Sequence, residues 1–387
     1  MGVELTVASE RPSTFEASQP DALVTLDFGH PDRAVQRVRE FAATRRIDAA
    51  LGVDDDTVVV AAAINDALGH GGNPEAAALA ARDKHQQRVL MEQARVPIPR
   101  YSLHPLDEAP DAAAELISYP CVVKPLRLSA SRGVIRADDR ASLVAAVERL
   151  RQILHQADSS DACEEPSQYL VEEFIPGYEV AVEGLLVRGR LHPLAVFDKP
   201  DPLDGPYFEE TIYLTPSRHP GSEQAALVAC AQSACDAIGL REGPVHAELR
   251  WNEHGPWLIE LAARPIGGRC SAVLRFGDGD VTLEEIVIRH ALGMRLPSLE
   301  RERPAAGVMM IPVKQGGVLR EVRGLDDARA VRLIEDIAIT AHKGQRLVPW
   351  PDGSRYPGFI FARGNEPALV ERALREAHAR LEFVLDD

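Results

Sequence analysis

The chain lacks the features that would assign it to several common classes of protein. None of its apolar runs approaches the length of a membrane-spanning helix. Its first residues have no basic stretch followed by an apolar core, so the sequence predicts no secretory signal, and the expected location is the cytoplasm. The formal net charge of −16 argues against nucleic acid and against an anionic membrane surface as partners, because both require a positive patch.

Cysteine and lysine are both scarce. The five cysteines show no paired metal-binding spacing, which is typical of reduced thiols in a reducing compartment. Only five of the 43 basic residues are lysines, at positions 84, 124, 199, 314 and 343. Arginine supplies every other permanent cation, so each lysine is a candidate for a role that arginine cannot fill.

What is present indicates a globular α/β protein of two or three domains. The 387 residues are 45% apolar and 26% charged. Short strands at 3–8, 22–28, 47–53 and 58–60, with a helix at 31–45, predict an N-terminal α/β domain over 1–96. Strands and helices with a polar linker near 158–168 predict an α+β domain over 97–300. Strands near 307–313 and 331–340, with a helix at 366–380, predict a smaller α+β domain over 301–387.

The segment from 245 to 268 carries the strongest functional signal. Two apolar runs, at 245–251 and 257–261, predict a hairpin with a three-residue loop at 253–255, which places Glu248 opposite Glu260. Like charges in such a pair destabilise a sheet by up to about 1 kcal/mol, whereas a cation between them reverses the sign. Hard carboxylates suit Mg²⁺. The alternative is an edge hairpin with solvated glutamates. Arg264 follows, where a permanent charge can hold developing negative charge.

Two further segments suggest contacts with phosphate. Lys124 ends the apolar strand at 119–125 and precedes a loop of small residues at 129–134, whose backbone N–H groups can bind an anion. An ordinary strand and flexible turn is the alternative. Asp83 and Lys84 stand at a helix start, where a surface ion pair is the simpler interpretation when they are taken alone.

The run from Val171 to Gly184 predicts a strand, a Pro-Gly turn and a second strand. Backbone groups at 172–175 could hydrogen-bond a purine base and offer it an apolar edge. Glu179 and Glu183 differ by four residues and therefore share one face of their strand. An acidic strand face that is simply solvated is the alternative.

Together, in this order, these segments resemble the ATP-grasp superfamily over roughly residues 20–300. The resemblance implies an ATP-grasp fold, with an N-terminal Rossmann-like domain over 1–96 that lacks its first strand–helix unit, and ATP and Mg²⁺ as cofactors, with Mn²⁺ as an alternative metal. The implied contacts with ATP are made by Lys84, Lys124, Ser129, Ser131, Arg132, Gly133, Glu172, Glu173, Phe174, Ile175 and Glu179. Glu248 and Glu260 would hold the metal, and Arg264 with the N–H groups of Gly267 and Gly268 would stabilise the transition state.

Within the superfamily the chain resembles the L-amino-acid ligases, which make dipeptides. The segment at 197–216, the run at 246–248 and the tail at 307–345 carry this likeness. It implies activation of a small carboxylate as an acyl phosphate, attack by an amine, and a homodimer such as related ligases form. The implied substrate contacts are Glu183, Lys199, Glu210, Tyr213 and His246.

The chain departs from the family pattern at several positions. Ala262 stands where an asparagine usually completes the metal ligands, and Tyr213 stands where a histidine often follows the substrate glutamate. The loop at 129–134 contains one glycine where relatives have more. The alternative functions are another ATP-grasp reaction, such as carboxylation or formylation of a small metabolite, and a nucleotide-binding module without catalysis. A pure interaction protein does not require two lysines and paired glutamates in this order.

Overall fold

The computed structural model describes residues 2–13, 15, 18–19, 22–110, 113, 117–161, 167–279 and 281–386. Its first part joins a short parallel pair of strands to four helices. These elements are β1 (Val7–Ser9), β2 (Leu23–Thr25), α1 (Pro31–Ala42), α2 (Thr57–Leu68), α3 (Glu75–Arg82) and α4 (Lys84–Gln93). No helix in the described part of the chain is long and apolar enough to cross a membrane.

The predicted strand at 58–60 is wrong, because these residues lie in α2. Eight consecutive residues of the helix are buried, from Val58 to Asn65. A helix buried on all sides and a buried strand share the same continuous apolar pattern, so periodicity cannot separate them. Residues 47–53 also form no regular strand.

A four-stranded antiparallel sheet follows, and it packs against one long helix. Its strands have the order β3-β6-β4-β5. The elements are β3 (Tyr101–Pro105), β4 (Cys121–Pro125), β5 (Ile135–Ala137), α5 (Arg140–Asp161) and β6 (Gln168–Glu173). Within the predicted linker near 158–168, residues 158–161 form the end of α5 and residue 168 begins β6, and residues 162–166 lie outside the described residues.

The larger sheet has eight strands and continues past residue 300. Its order is β11-β10-β7-β8-β9-β12-β16-β14. The elements up to residue 291 are β7 (Tyr178–Val187), β8 (Arg190–Asp198), β9 (Ile212–Thr215), α6 (Gly221–Ile238), β10 (Gly243–Asn252), β11 (Gly255–Ala262) and α7 (Leu283–Ala291). Helix α6 covers one face of this sheet, with Leu227 and Ala231 fully buried against strand residues such as Leu249.

The last part of the chain supplies three strands of this eight-stranded sheet and also forms a small separate sheet. The elements are β12 (Ala305–Met310), β13 (Gly317–Arg323), α8 (Leu325–Arg329), β14 (Ile334–Ile339), β15 (Arg346–Leu347), β16 (Gly358–Gly364), α9 (Pro367–Ala379) and β17 (Glu382–Asp386). Strand β12 pairs with β9, so the predicted domain boundary near residue 300 is crossed by sheet hydrogen bonds. The small sheet has the order β15-β13-β17.

The turn between the two larger sheets depends on a glycine. Gly177 has a φ of +120°, and a Cβ at this position would lie 2.0 Å from the carbonyl oxygen of Trp251. Both the left-handed backbone and the close approach exclude a larger side chain. The chain therefore passes from β6 into β7 at one fixed angle, and this angle sets the cleft between the sheets.

Candidate active site

The cleft between the two larger sheets contains about 600 Å³ of empty space, part of it open to solvent. Charged side chains converge on it from α4, β4, β6, β7, β10 and β11. The predicted site residues that line it are Lys84, Lys124, Ser131, Glu172, Glu173, Phe174, Ile175, Glu179, Glu210, Glu248 and Glu260.

The paired glutamates of the hairpin are where the sequence predicts them. Glu248 of β10 lies directly opposite Glu260 of β11. The predicted three-residue loop is wrong, because Asn252 already pairs with Gly255. The register is restored by an irregularity after Glu248, which leaves Ile259 as an extra residue in β11. The bulge makes up the one-residue difference, so both interpretations give the same glutamate pair.

The positive charge next to this pair comes from lysine side chains. The Lys84 ammonium lies 3.0 Å from a Glu260 carboxylate oxygen and donates to the carbonyl oxygen of Leu128 at 2.9 Å. Lys84 is the first residue of α4, whose N-cap, Asp83, accepts hydrogen bonds from two backbone N–H groups of the first turn. Asp83 therefore caps the helix, and the buried Lys84 is directed into the cleft rather than forming the surface pair considered from sequence.

A buried ion triad lies at the base of the cleft. Glu172 accepts from Arg88 Nε at 2.7 Å and lies 2.5 Å from the Lys124 ammonium. Burial raises the pKa of the Glu172 carboxyl, but the two cations outweigh it and leave the pKa below its usual value. Burial lowers the pKa of Lys124 despite the Glu172 charge. Arg88 also donates to the Ile259 carbonyl oxygen at 2.6 Å, so the triad holds the bulge of β11.

Sequence reasoning missed Arg88. It follows Lys84 by four residues on α4, so the helical period places both side chains on one face. This spacing was the available signal. The Glu172 carboxylate is committed to the triad, and its backbone lies in β6, which pairs with β3 on one side and β4 on the other. The predicted nucleotide contact of Glu172 stays a prediction.

The predicted adenine segment is held mainly by arginines. The Phe174 ring lies between the guanidinium groups of Arg136 and Arg250, at 4.3 and 4.9 Å from its centroid. Arg250 also donates to the Ile175 carbonyl oxygen at 2.8 Å. The Phe174 N–H donates to the carbonyl oxygen of Pro120. These contacts fix the Phe174 ring at one wall of the cleft.

Lys199 stands among three carboxylates at the opposite end of the cleft. Its ammonium lies 2.8 Å from Glu179 and 3.3 Å from Glu248, and it contacts Glu210 more closely still. Burial lowers the pKa of Lys199, but these carboxylates outweigh it and raise the pKa above its usual value. The Tyr213 hydroxyl donates to Glu210 at 2.5 Å. Lys199 is therefore a fixed cation at this end.

A second buried pair links the cleft to the segment that follows Arg264. Glu183 is fully buried and contacts His246 Nδ1 through one oxygen, and its other oxygen accepts from the Ile266 N–H at 3.2 Å. His246 Nε2 lies 3.3 Å from Glu248. Burial disfavours the protonated ring, but the charges of Glu183 and Glu248 outweigh it and raise the pKa of His246 to about 9.

The raised pKa of His246 predicts a pH dependence of stability. The proton is held more tightly in the folded protein than at the ordinary pKa of 6.5, so its contribution is complete below about pH 6.5 and is lost as the pH rises through about 9. We expect the free energy of unfolding, measured with urea, to fall over this interval. Because a lone buried Glu183 would itself titrate, the test variant is His246→Asn with Glu183→Gln, in which this fall should be absent.

The control for this prediction is His254→Asn, since the His254 side chain is 71% exposed in the hairpin turn. This variant should show the wild-type pH profile. An equally steep fall in the double variant would show that other groups cause it.

Arg264 is held by a residue from the first part of the chain. Asp55 accepts from Arg264 Nε at 2.8 Å and from Nη2 at 2.9 Å. The Arg264 Nη1 donates to the carbonyl oxygen of Pro265 at 3.1 Å. Burial disfavours the charged guanidinium, but Asp55, with a further contribution from Glu260, raises the pKa of Arg264 above its usual value. The charge of Arg264 is therefore permanent, and it interacts with the charge of Glu260.

The small-residue loop at 129–134 is joined to the last part of the chain. The Trp350 indole N–H donates to the carbonyl oxygen of Ala130 at 2.8 Å, and the Gly133 N–H donates to that of Pro351 at 2.9 Å. In this conformation the Gly133 N–H is not available to a phosphate. Contact between these distant segments was not predicted.

Two models of known protein families match this chain, one over the cleft and one over its last part. A model of the ATP-grasp domain matches residues 117–273, and a model described as L-amino acid ligase C-terminal domain 2 matches residues 309–386. The chain contains an ATP-grasp domain followed by an L-amino acid ligase C-terminal domain. The ATP-grasp fold predicted from the sequence is therefore confirmed.

Individual relatives point the same way. The structure of L-amino acid ligase from Bacillus licheniformis is similar, with a TM-score of 0.74 and 26% identity, over 95% of this chain and 89% of that one. Carnosine synthase 1 of Gallus gallus is 30% identical over 86% of this chain and 38% of its own length. Alanine–anticapsin ligase of Bacillus subtilis is 26% identical over 62% of this chain and 56% of its own. The chain thus spans less than two thirds of these curated relatives.

Most of the remaining predicted residues lie at the edge of the cleft or behind the side chains that line it. Lys199, Tyr213, His246 and Glu183 contact the cleft glutamates directly or through one another. Arg132 donates to the Asp352 carbonyl oxygen, and the segment with Gly267 and Gly268 is tied to Glu183 through Ile266. The predicted roles of these residues stay predictions.

The thiols of Cys121, Cys230, Cys235 and Cys270 are free and buried, and Cys163 lies outside the described residues.

Proposed function

We propose that the protein is an ATP-dependent carboxylate–amine ligase. A substrate carboxylate oxygen bonds to the γ-phosphorus of ATP as the bond to ADP breaks, which gives an acyl phosphate. An amine nitrogen then bonds to the acyl carbon, loses a proton, and phosphate leaves. The observation that carries the proposal is the meeting of Lys84, Lys124 and the Glu248–Glu260 pair in one cleft, with Arg264 near enough to Glu260 for their charges to interact. By resemblance to the L-amino-acid ligases, the substrate whose carboxylate is phosphorylated is an amino acid.

The chemistry of the donor set supports a divalent metal at the glutamate pair. Glu248 and Glu260 present carboxylate oxygens from adjacent strands, and their side chains are 19% and 32% exposed. Hard oxygen donors of this kind fit Mg²⁺ bound together with phosphate. When bound, Mg²⁺ neutralises charge on the transferred phosphoryl group. Lys84 and Lys199 already neutralise part of the negative charge of the two glutamates. Mn²⁺ as the metal stays a prediction.

The chain's own residues have separate proposed roles. Lys84 and Lys124 hold the phosphates of ATP, and the surface at Phe174 and Ile175 seats adenine. Arg264 holds negative charge on the tetrahedral carbon's oxygen as the amine attacks, together with the N–H groups at 267–268. Lys199, Glu210 and Tyr213 form the end of the cleft that receives the substrates. The homodimer implied by the family resemblance stays a prediction.

The test is phosphate release from ATP over a matrix of amino acids, other small acids and amines, with mass spectrometry of the products. We expect release that depends on both an acid and an amine, and a product with the mass of the amide. Dependence on bicarbonate or formate without an amino acid would indicate a different ATP-grasp reaction. ATP binding without release over the whole matrix would indicate a nucleotide-binding module.

Replacing Glu260 with glutamine tests the metal assignment. Because the amide keeps the shape and removes the charge, we expect the Mg²⁺ concentration for half-maximal phosphate release to rise by about 10- to 100-fold. The matched control is Glu253→Gln in the turn of the same hairpin, where the side chain is 85% exposed. An unchanged Mg²⁺ dependence in Glu260→Gln would remove Glu260 from the metal site.

A further inference from the structure

The ion pair between Asp55 and Arg264 is side-on and bidentate. Asp55 and Arg264 are 209 positions apart in the sequence. Their side chains are 20% and 14% exposed, so water screens the pair only partly. Two parallel hydrogen bonds between a carboxylate and a guanidinium fix the plane of the guanidinium as well as its position.

The local structure before α2 directs Asp55 toward Arg264. Three consecutive aspartates each take a different partner. Asp54 accepts from the Thr57 N–H at 2.9 Å and so closes the turn before the helix. Asp56 lies 2.5 Å from Arg82, on the exposed side. Between these two fixed neighbours, Asp55 projects toward the segment that leaves β11.

The hydrogen bonds leave part of the Arg264 guanidinium available. A guanidinium has five N–H donors, and Asp55 and the Pro265 carbonyl oxygen take three, one of them on each nitrogen. Two donors therefore remain, one on Nη1 and one on Nη2. Both can donate to oxygens of a carboxylate or phosphate.

The pair also keeps both groups ionised. Burial raises the pKa of Asp55, but the charge and hydrogen bonds of Arg264 outweigh it and leave the pKa below its usual value. The net charge of the pair is zero, so Asp55 weakens the general attraction of Arg264 for anions. What Asp55 supplies is orientation.

We propose that Asp55 is a positioning residue that orients Arg264, so that its two remaining N–H donors face the negative charge formed during acyl transfer. The inference rests on the proposed function. It also gives the N-terminal part of the chain an indirect part in the reaction, because the loop before α2 then sets the geometry of a group that follows β11.

The experiment is a double-mutant cycle with Asp55→Asn and Arg264→Ala, measured by amide formation on the full chain. We expect Asp55→Asn to lower kcat by about 10-fold or more, without raising KM for the acid substrate, because orientation is lost while the positive charge stays. In the Arg264→Ala background the same change should have no further effect, because Asp55 acts through Arg264. Asp55→Glu should recover part of kcat.

Asp56→Asn is the matched control, since it removes an exposed ion pair from the same loop. It should leave kcat within about two-fold of wild type. The inference would be overturned if the loss from Asp55→Asn persisted in the Arg264→Ala background. It would also be overturned if the kcat of Asp55→Asn equalled that of Asp56→Asn. In both cases amide formation by the wild-type protein would still uphold the proposed function. Absence of amide formation in the wild-type protein would overturn the proposed function and this inference together.

Discussion

Replacing Arg264 with alanine is expected to lower the rate of amide formation by about 10²- to 10³-fold. The guanidinium interacts electrostatically with Glu260 and holds its charge permanently, and its two remaining donors are the proposed support of the oxyanion. Removing one preorganised donor group from such a site costs about 3–4 kcal/mol of transition-state stabilisation in other enzymes. In the proposed function ATP is bound by Lys84 and Lys124, so we expect its dissociation constant to stay within about three-fold of wild type. Calorimetry with a non-hydrolysable ATP analogue and the amide assay measure the two effects separately.

The Arg264→Ala variant also leaves the Asp55 carboxylate without its partner, so rates are normalised to the folded fraction. Arg269→Ala is the control, because Arg269 follows five residues later, where its guanidinium packs over the Phe361 ring at 5.6 Å. The control should keep near-normal turnover. If Arg264→Ala matched it, the proposed role of Arg264 would be wrong.

Replacing Glu172 with glutamine is expected to destabilise the protein by about 3–5 kcal/mol. Glu172 is 2% exposed and is the shared partner of two buried cations, Arg88 and Lys124. A neutral amide at this position leaves both cations without a counter-charge in a medium that solvates them poorly. The free energy of unfolding from urea denaturation at pH 7 measures this loss.

The neighbouring residue offers a matched control. Glu173 pairs with Arg100 at 3.0 Å, and that arginine side chain is 74% exposed. Exposed pairs contribute about 0–1 kcal/mol, so Glu173→Gln should have little effect on stability. Two variants of equal stability would falsify the triad as a structural unit.

Patterns of short range in the sequence predicted much of the site. The two apolar runs of the hairpin predicted the pairing of Glu248 with Glu260, although the loop is one residue shorter than predicted and a bulge in β11 makes up the difference. The family order of lysines and glutamates then indicated which segments share a cleft. Where the pattern itself was ambiguous, prediction failed. The apolar run at 58–60 suits a buried strand and a buried helix equally, and only packing decides between them.

The tertiary structure alone decided which charges meet. Arg88 and Glu172 are 84 positions apart, Asp55 and Arg264 are 209 apart, and Ala130 and Trp350 are 220 apart. No local periodicity encodes such pairs, because they depend on how separate sheets and helices pack together. By itself, the sequence determined the types of chemical group that line the cleft and their order along the chain. The packing of the loop before α2 against the end of β11 decided how Arg264 is oriented, since a side chain in a loop takes its direction from the partner that reaches it.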